Sequence, residues 1–276
     1  MAHLTDVHVS GIEGAEPGLA MALRHAQDQA DKPDLILFGG DCIGDALDQT
    51  KLDVLDQWAR WDRALSRELR TPHRMCLGNH DIWGWKRHDS AQLQEDPDFG
   101  KALGLRRLGL AAPYYSFDEG GWHFVVLDSM QRAQGTAQGY IAMLDETQFK
   151  WLASDLNATP SRRPICVLSH IPILSAAALL DGDLAGSGNY IVPGAWLHLD
   201  CRRIKNLFRS HPNVKVCLSG HLHMVEDLRY LGVRYLCNGA VSGAWWRGSY
   251  QEFGPSYTLL DFYEDGTVEP RQVSYQ

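Results

Sequence analysis

The sequence has no long hydrophobic run, no paired-cysteine motif and no excess of basic residues. Its longest apolar stretches, such as residues 171–180, are short or interrupted, whereas a membrane-spanning helix needs roughly 18 or more apolar residues. We therefore predict no membrane insertion. The sequence as written shows no signal peptide at its start, which predicts a cytoplasmic protein. A periplasmic or secreted location is the alternative, if a leader was removed ahead of the short first strand.

The six cysteines form no C-x-x-C motif, and most lie inside apolar runs. They are expected to be reduced thiols buried in the core. The chain has 26 Lys and Arg against 34 Asp and Glu, a formal net charge of −8. This acidic balance makes nucleic acid an unlikely partner, since nucleic-acid-binding domains are usually basic. It leaves phosphate chemistry possible, because bound metal ions can supply positive charge locally.

The 276 residues are 45% hydrophobic, enough for a sizeable core. Short apolar runs bounded by turn residues alternate with helical patterns, which predicts an α/β protein with a largely parallel sheet. Antiparallel character is expected at a hairpin, 114–117 with 122–127, and in three runs after residue 228. Strands are predicted at 35–38, 74–77, 122–127, 165–168, 214–218, 229–231, 234–237 and 257–263, helices at 18–31, 52–70, 146–157 and 200–210, and long loops at 83–113, 129–145, 172–198 and 242–256.

No repeat, low-complexity tract or linker interrupts this alternation, so residues 1–276 are predicted to form one domain. Polar residues follow the apolar runs at the point where each predicted strand ends. Carboxyl ends of parallel strands gather at one edge of a sheet, so these residues should converge. Imidazole and carboxylate groups together are typical ligands of zinc, iron or manganese. The number of such residues here is too large for one tetrahedral ion. The set is Asp6, His8, Asp41, Asn79, His80, His170, His221 and His223.

Five short motifs occur in a fixed order between residues 6 and 223: Asp6-Val7-His8, Gly40-Asp41, Gly78-Asn79-His80-Asp81, His170, and Gly220-His221-Leu222-His223. In this order the sequence resembles the calcineurin-like metallophosphoesterases. It is most similar to their bacterial branch of cyclic-nucleotide and glycerophosphodiester phosphodiesterases. The resemblance implies a four-layer αββα sandwich of mixed α/β type, with a two-metal site at the carboxyl edge of the strands.

The resemblance also implies roles for individual residues. Asp6, His8 and His223 would bind the first metal, and Asp41 would bridge the two ions. The second metal would take Asn79, His170 and His221. Two ions about 3.5–4 Å apart can hold a bridging hydroxide together with the oxygens of a phosphate. The ions would be Fe, Mn or Zn, between which the sequence does not choose.

His80 matches the catalytic histidine of these enzymes, which is not a metal ligand. It would donate a proton to the leaving alkoxide, and Asp81 would orient its ring. The predicted activity is therefore hydrolysis of small phosphodiesters. A monoesterase, a nuclease and a non-catalytic scaffold remain as alternatives.

The sequence departs from two branches of the superfamily. The stretch 40–45, Gly-Asp-Cys-Ile-Gly-Asp, lacks the arginine of protein phosphatases, and Gly44 stands where purple acid phosphatases place a tyrosine. In the loops, Tyr190, Trp196 and His198 are candidate substrate-binding residues. The Trp245-Trp246-Arg247 stretch could either stack a base or pack within its loop. The sequence leaves the oligomeric state open.

Overall fold

The computed structural model describes residues 1–182 and 184–276, and within them the chain forms 13 strands and five α-helices. The strands are β1 (Ala2–Leu4), β2 (Ile36–Phe38), β3 (His73–Met75), β4 (Tyr115–Glu119), β5 (Trp122–Leu127), β6 (Met130–Arg132), β7 (Tyr140–Ala142), β8 (Ile165–Ser169), β9 (Val214–Ser219), β10 (Glu226–Tyr230), β11 (Val233–Cys237), β12 (Ser256–Phe262) and β13 (Val268–Ser274). The helices are α1 (Ala15–Gln27), α2 (Lys51–Glu68), α3 (Lys101–Arg107), α4 (Glu146–Ala158) and α5 (Cys201–Arg209).

Two sheets form the centre of the molecule. The first has the order β13-β12-β1-β2-β3, in which β1, β2 and β3 are parallel and β12 pairs antiparallel with β1 and β13. The second has the order β10-β11-β9-β8-β5-β4, and its four inner strands are parallel. Strands β6 and β7 make a separate hairpin. Each sheet therefore brings several strand ends to one edge.

The alternation of side chains along β8 shows how the layers stack. Ile165 and Val167 pack on the same side as Leu152 of α4 and Phe208 of α5. Cys166 and Leu168 pack on the opposite side with residues of the first sheet, because successive side chains of a strand point to opposite faces. Helices α1 and α2 cover the other face of the first sheet. The order helix, sheet, sheet, helix confirms the four-layer αββα sandwich.

All four predicted helices are present, with ends shifted by at most four residues. The loop predictions were less accurate: α3 lies inside 83–113, and the β6–β7 hairpin lies inside 129–145. Strand β13 was not predicted. The first strand has only three residues, all buried, and His3 does not interrupt it because its Nδ1 lies 2.6 Å from Asn238 Nδ2 within the core.

The six cysteines are free, and all except Cys201 are buried, which confirms the prediction of core thiols. Among the described residues, no helix combines the length and the apolar character that a membrane crossing requires.

Candidate metal centre

The polar residues predicted from the strand ends do meet at one edge of the sandwich. Those from the first sheet follow β1, β2 and β3, and those from the second follow β8 and β9. The two sheets therefore contribute to one site, which draws on residues from position 6 to position 223. Two groups of side chains have candidate ligand atoms that all lie within 4.8 Å of one another: Asp6, His8 and His223, and Asp41, His170 and His221. A third group, His8, Asp41 and His80, meets the same distance limit and shares one member with each of the first two.

In the first group, the imidazole Nε2 atoms of His8 and His223 lie 3.0 Å apart. Both face Asp6 Oδ1, at 3.9 Å from His8 and 3.5 Å from His223. Nδ1 of His223 lies 2.6 Å from the carbonyl oxygen of Gly243, to which it donates. This hydrogen bond leaves Nε2 of His223 as the lone-pair atom, which is how a metal-binding histidine is usually oriented.

In the second group, His170 is oriented in the same way. Its Nδ1 donates to the carbonyl of Gly39 at 2.8 Å, so Nε2 faces Asp41 Oδ2 at 3.2 Å and Asn79 Oδ1 at 3.1 Å. Asp41 Oδ2 also lies 3.7 Å from Nε2 of His8, in the first group. Asp41 is therefore within reach of both groups, the position that a bridging carboxylate requires.

The protonation states of two of the histidines suit metal binding. Burial lowers the pKa of His8 and of His221 to about 3 each, so both imidazoles are neutral at pH 7 and offer lone pairs. Burial alone would lower the pKa of His170, but the charge of Asp41 raises it to about 9, so His170 would lose a proton on binding a metal.

Burial opposes ionisation of Asp6, but its interactions with the neighbouring His223 and His170 outweigh burial and lower the pKa of that carboxyl. Nδ1 of His8 is buried and has no hydrogen-bond partner among the residues that the structure describes. Neutral imidazoles beside buried carboxylates fit a pair of cations of the divalent or trivalent transition-metal type.

The backbone is strained at this site. Five of the predicted ligands have positive φ angles between 51° and 70°: Asp6, His8, Asp41, His221 and His223. The left-handed conformation costs about 1–2 kcal/mol for a residue with a side chain. Such strain persists only where surrounding contacts enforce it, and it is concentrated at functional sites. Here the positive φ angles occur at residues whose side chains converge on the candidate metal centre.

Two glycines of the motifs leave room for the carboxylates. A Cβ atom on Gly78 would lie 2.2 Å from Oδ1 of Asp41, and one on Gly220 would lie 2.2 Å from Oδ2 of Asp6. Both distances are far too short for non-bonded atoms, so any other residue would displace the carboxylate. These glycines are therefore required for steric reasons.

Asp81 does not orient His80 as the sequence predicted. Its buried carboxylate accepts hydrogen bonds from the backbone amides of Gly78 (2.9 Å), Asp41 (3.0 Å) and Cys42 (2.9 Å). Within the described part of the chain these buried amides have no backbone acceptor, and the carboxylate of Asp81 satisfies them instead. It joins the two loops that carry Asp41 and His80.

The carboxylate that faces His80 belongs to Asp45, whose Oδ1 lies 3.4 Å from His80 Nδ1. Asp45 is held in turn, since its amide donates to Oε1 of Gln57 and its Oδ1 accepts from the amide of Leu47. Sequence analysis included this aspartate only as the last residue of the stretch 40–45 and assigned it no role. Its position four residues after Asp41 was the available signal.

A cavity of about 270 Å³ opens beside the two groups. Asp41, Asn79 and His80 line one wall together with the histidines 221 and 223. The facing walls combine aromatic, aliphatic and polar side chains: Leu47, Lys86, Gln138, Tyr140, Asp181, Trp196, Leu222, Trp245 and Tyr250. A cavity of this size holds one small molecule.

The three candidate substrate-binding residues have different environments in the structure. Trp196 lines the cavity. Tyr190 is 68% exposed and is absent from the cavity lining. His198 is buried, with Nε2 3.2 Å from Ser169 Oγ and Nδ1 3.0 Å from Asp200 Oδ1, so it supports the loop from inside. Sequence analysis did not select Tyr140 or Tyr250, and the chain offered no motif that marks them.

Residues 1–225 match the family model of the calcineurin-like phosphoesterases. The chain belongs to this family. Calcineurin-like phosphoesterases are metal-dependent hydrolases of phosphate esters, and the groups of Asp and His residues described above could hold metal ions. This match confirms the resemblance to the family that the five sequence motifs indicated.

Among relatives of this calcineurin-like phosphoesterase, a 3',5'-cyclic-nucleotide phosphodiesterase of Nostoc sp. is 24% identical over 97% of this chain and 89% of the relative. A dimetal phosphatase from Danio rerio has a similar fold, with a TM-score of 0.67 and 14% identity over 100% of this chain and 98% of that one. The GAP50 anchor of the Plasmodium inner membrane complex also shares the fold, with a TM-score of 0.58 and 16% identity over 100% of this chain and 84% of that one. The last two similarities concern the fold alone.

Proposed function

We propose that this calcineurin-like phosphoesterase hydrolyses small phosphodiesters at a two-metal centre, with Asp6, His8 and His223 holding one ion and Asn79, His170 and His221 the other. The observation that carries the proposal is the position of Asp41, within 3.7 Å of His8 and 3.2 Å of His170, where one carboxylate serves both groups. The ions, for which we propose Fe, Mn or Zn, would supply Lewis-acid stabilisation of the phosphoryl oxygens and an activated water.

Side chains of the protein would supply the proton for the leaving group and hold the proton donor in position. His80 lines the cavity and is placed to donate a proton to the leaving oxygen, with Asp45 facing its other nitrogen. The carboxylate of Asp41 accepts a hydrogen bond of 2.8 Å from the amide of His80, so the acid and the ligand are held at a fixed separation. Such positioning reduces the entropic cost of bringing the reacting groups together.

A diester is favoured over other phosphate esters by the cavity and by the Nostoc relative. The cavity of about 270 Å³ suits one small molecule rather than a polymer. Its aromatic walls, from Tyr140, Trp196 and Tyr250, offer contact to an organic group on the phosphate. A ring such as a nucleobase would gain about 1–3 kcal/mol from stacking. A cyclic nucleotide or a glycerophosphodiester is therefore the proposed substrate class.

A phosphomonoesterase is the second candidate, because Lys86 lines the same cavity. A monoester dianion carries more charge than a diester, and an ammonium group at the rim would favour it electrostatically.

The test compares bis(p-nitrophenyl) phosphate with p-nitrophenyl phosphate. The protein would be stripped of metal and reloaded with Mn, Fe or Zn. Metal-dependent preference for the diester is expected, and cyclic nucleotides would be assayed next. Preference for the monoester would move the assignment to a phosphatase. Two bound ions without turnover of either compound would favour the scaffold alternative.

A further inference from the structure

A segment that follows β11, residues 241–246, is wrapped around the first group of candidate ligands. The backbone amide of Val241 donates to the carbonyl of Thr5 at 2.9 Å. Ser242 contacts the carbonyl of Asp6 twice, from its amide at 3.2 Å and from its hydroxyl at 2.8 Å. These bonds fix the backbone of the turn that carries Asp6.

The same segment also holds the two histidines of that group. The carbonyl of Gly243 receives the Nδ1 proton of His223. The indole N–H of Trp246 donates to the carbonyls of Val7 at 2.9 Å and His8 at 3.2 Å. Every member of the first group therefore has a partner within residues 241–246.

Trp245 adds a contact of a different kind. Its ring is stacked on the imidazole of His223, with centroids 4.3 Å apart and planes at 30°, and it lies 5.3 Å from the imidazole of His8. Tyr250 meets His223 edge-on at 5.5 Å. Two ligand imidazoles are thus covered by one indole ring.

The backbone at this point is strained. Trp245 and Trp246 are consecutive bulky residues with φ angles of 51° and 66°. Positive φ is uncommon for large side chains, and it persists where the surroundings enforce it. The indole hydrogen bonds of Trp246 provide that enforcement, and the result is to present the ring of Trp245 to the ligands.

We propose that Trp245 is a positioning residue for the first metal site. Its ring fixes the planes of the His8 and His223 imidazoles and keeps water from them, while Trp246 anchors the segment. The inference rests on the proposed metal centre. The family match ends at residue 225, so both tryptophans lie outside the residues that carry the resemblance.

A substrate-stacking role for Trp245 is the competing explanation, because this ring also lines the cavity. The imidazole of His223 already occupies one face of the indole. A side chain that packs against a metal-binding histidine fixes the orientation of its ring. Removing that side chain is therefore expected to weaken metal binding. The two roles therefore differ in whether a change at Trp245 alters metal affinity or substrate affinity.

The experiment measures Mn²⁺ binding by calorimetry on metal-stripped wild type, Trp245→Ala, Trp245→Phe and Trp196→Ala. Trp196 lines the same cavity and makes no ring contact with these imidazoles among the described residues, so it is the matched control. We expect Trp245→Ala to weaken one of two sites by about 10-fold or more and to leave the other unchanged. Trp245→Phe should restore most of the affinity, and Trp196→Ala should bind like wild type.

Wild-type affinity at both sites in Trp245→Ala, with a raised KM, would overturn the inference in favour of substrate stacking. Wild type that binds fewer than two ions would instead overturn the proposed metal centre, and the inference with it. If Trp245→Ala does not fold, Trp245→Leu keeps a bulky apolar side chain without the aromatic stack, and it should show the same loss at one site.

Discussion

At the scale of single residues, His80 differs from the other histidines of the site. Its nearest carboxylate, Asp45, belongs to the loop between β2 and α2 and is not one of the candidate metal ligands. Its side chain is 25% exposed, whereas those of His8 and His170 are inaccessible. A proton donor must exchange with solvent and substrate, and a metal ligand need not.

His80→Asn is predicted to retain both metal ions and to lower kcat by about 10²–10⁴-fold. The loss should shrink when the leaving group is already acidic, because less proton donation is needed. Metal content and kcat for substrates with leaving groups of increasing pKa are the measurements. His88→Asn, an exposed histidine that does not line the cavity, is the control. An equal loss for all leaving groups would contradict the assignment.

Asp45→Asn is predicted to shift the pH profile. Burial alone would lower the pKa of His80, but the charges of Asp41 and Asp45 raise it above the usual 6.5. An acid that must be protonated loses activity as the pH rises through its pKa. Removing the Asp45 charge lowers that pKa, so the alkaline limb of kcat should move to lower pH. Asp48→Asn, at an exposed position of the same loop, should leave the limb in place.

At the scale of secondary-structure elements, helix α1 supports the segment 241–246 through a glycine. The ring of Trp246 occupies the space beside Gly18, where a Cβ atom would lie 2.0 Å from Cζ3 of the indole. Gly18 lies within the helix, where alanine is ordinarily about 1 kcal/mol more favourable than glycine. The steric conflict reverses that preference.

Gly18→Ala is therefore predicted to destabilise the protein by about 1–3 kcal/mol, the usual cost of overpacking. Urea unfolding monitored by circular dichroism measures the change. The matched substitution Gly11→Ala places its Cβ in open space and should change stability by less than about 0.5 kcal/mol. An increase in stability for Gly18→Ala would show that the Trp246 ring is readily displaced.

The strands also show which secondary-structure elements sequence patterns can predict. Strand β8, from Ile165 to Ser169, was predicted to within one residue because its run is apolar on both faces and ends in turn chemistry. Strand β13 was missed because it lies at the sheet edge with charged and polar residues on its exposed face. The β6–β7 hairpin was also missed: its strands have three residues each and lie within the predicted loop 129–145, and the first of them, Met130–Arg132, is mostly polar.

The same distinction holds for the site. The positions of the candidate ligands could be predicted because each of them lies within a few residues of the end of a strand. The partners of those residues were not, because the contact of Asp81 with three backbone amides and that of Asp45 with His80 depend on how two loops pack. Trp245 lies after all the motifs, and nothing local in its sequence identifies which side chains its ring meets.

At the scale of the whole molecule, the candidate metal centre joins the two sheets. Asp6 and Asp41 follow strands of the first sheet, and His170, His221 and His223 follow strands of the second. Without cations, the buried carboxylates lie close together in a low dielectric. Metal binding should therefore stabilise the sandwich as a whole.

Chelation is predicted to lower the free energy of unfolding. A ligand that binds only the folded state at 100 times its Kd contributes about 2.7 kcal/mol per site. Urea unfolding with Mn²⁺ and then with a chelator measures the difference. In Asp41→Asn, which removes the charge that both groups share, the difference should be smaller. Equal stability with and without metal in the wild type would contradict coupling between the ions and the fold.

The position of β1 bears on how the chain folds. This strand lies between β2 and β12, so residues near the start pair with residues 258 and 259. Contacts between such distant parts of a chain form late and slow the folding reaction. During synthesis, a nascent chain that ends near residue 225 would carry every candidate ligand. It would still lack the segment 241–246 and strand β12, which pairs with β1. Efficient uptake of metal is therefore expected only after the segment 241–246 and strand β12 have been synthesised.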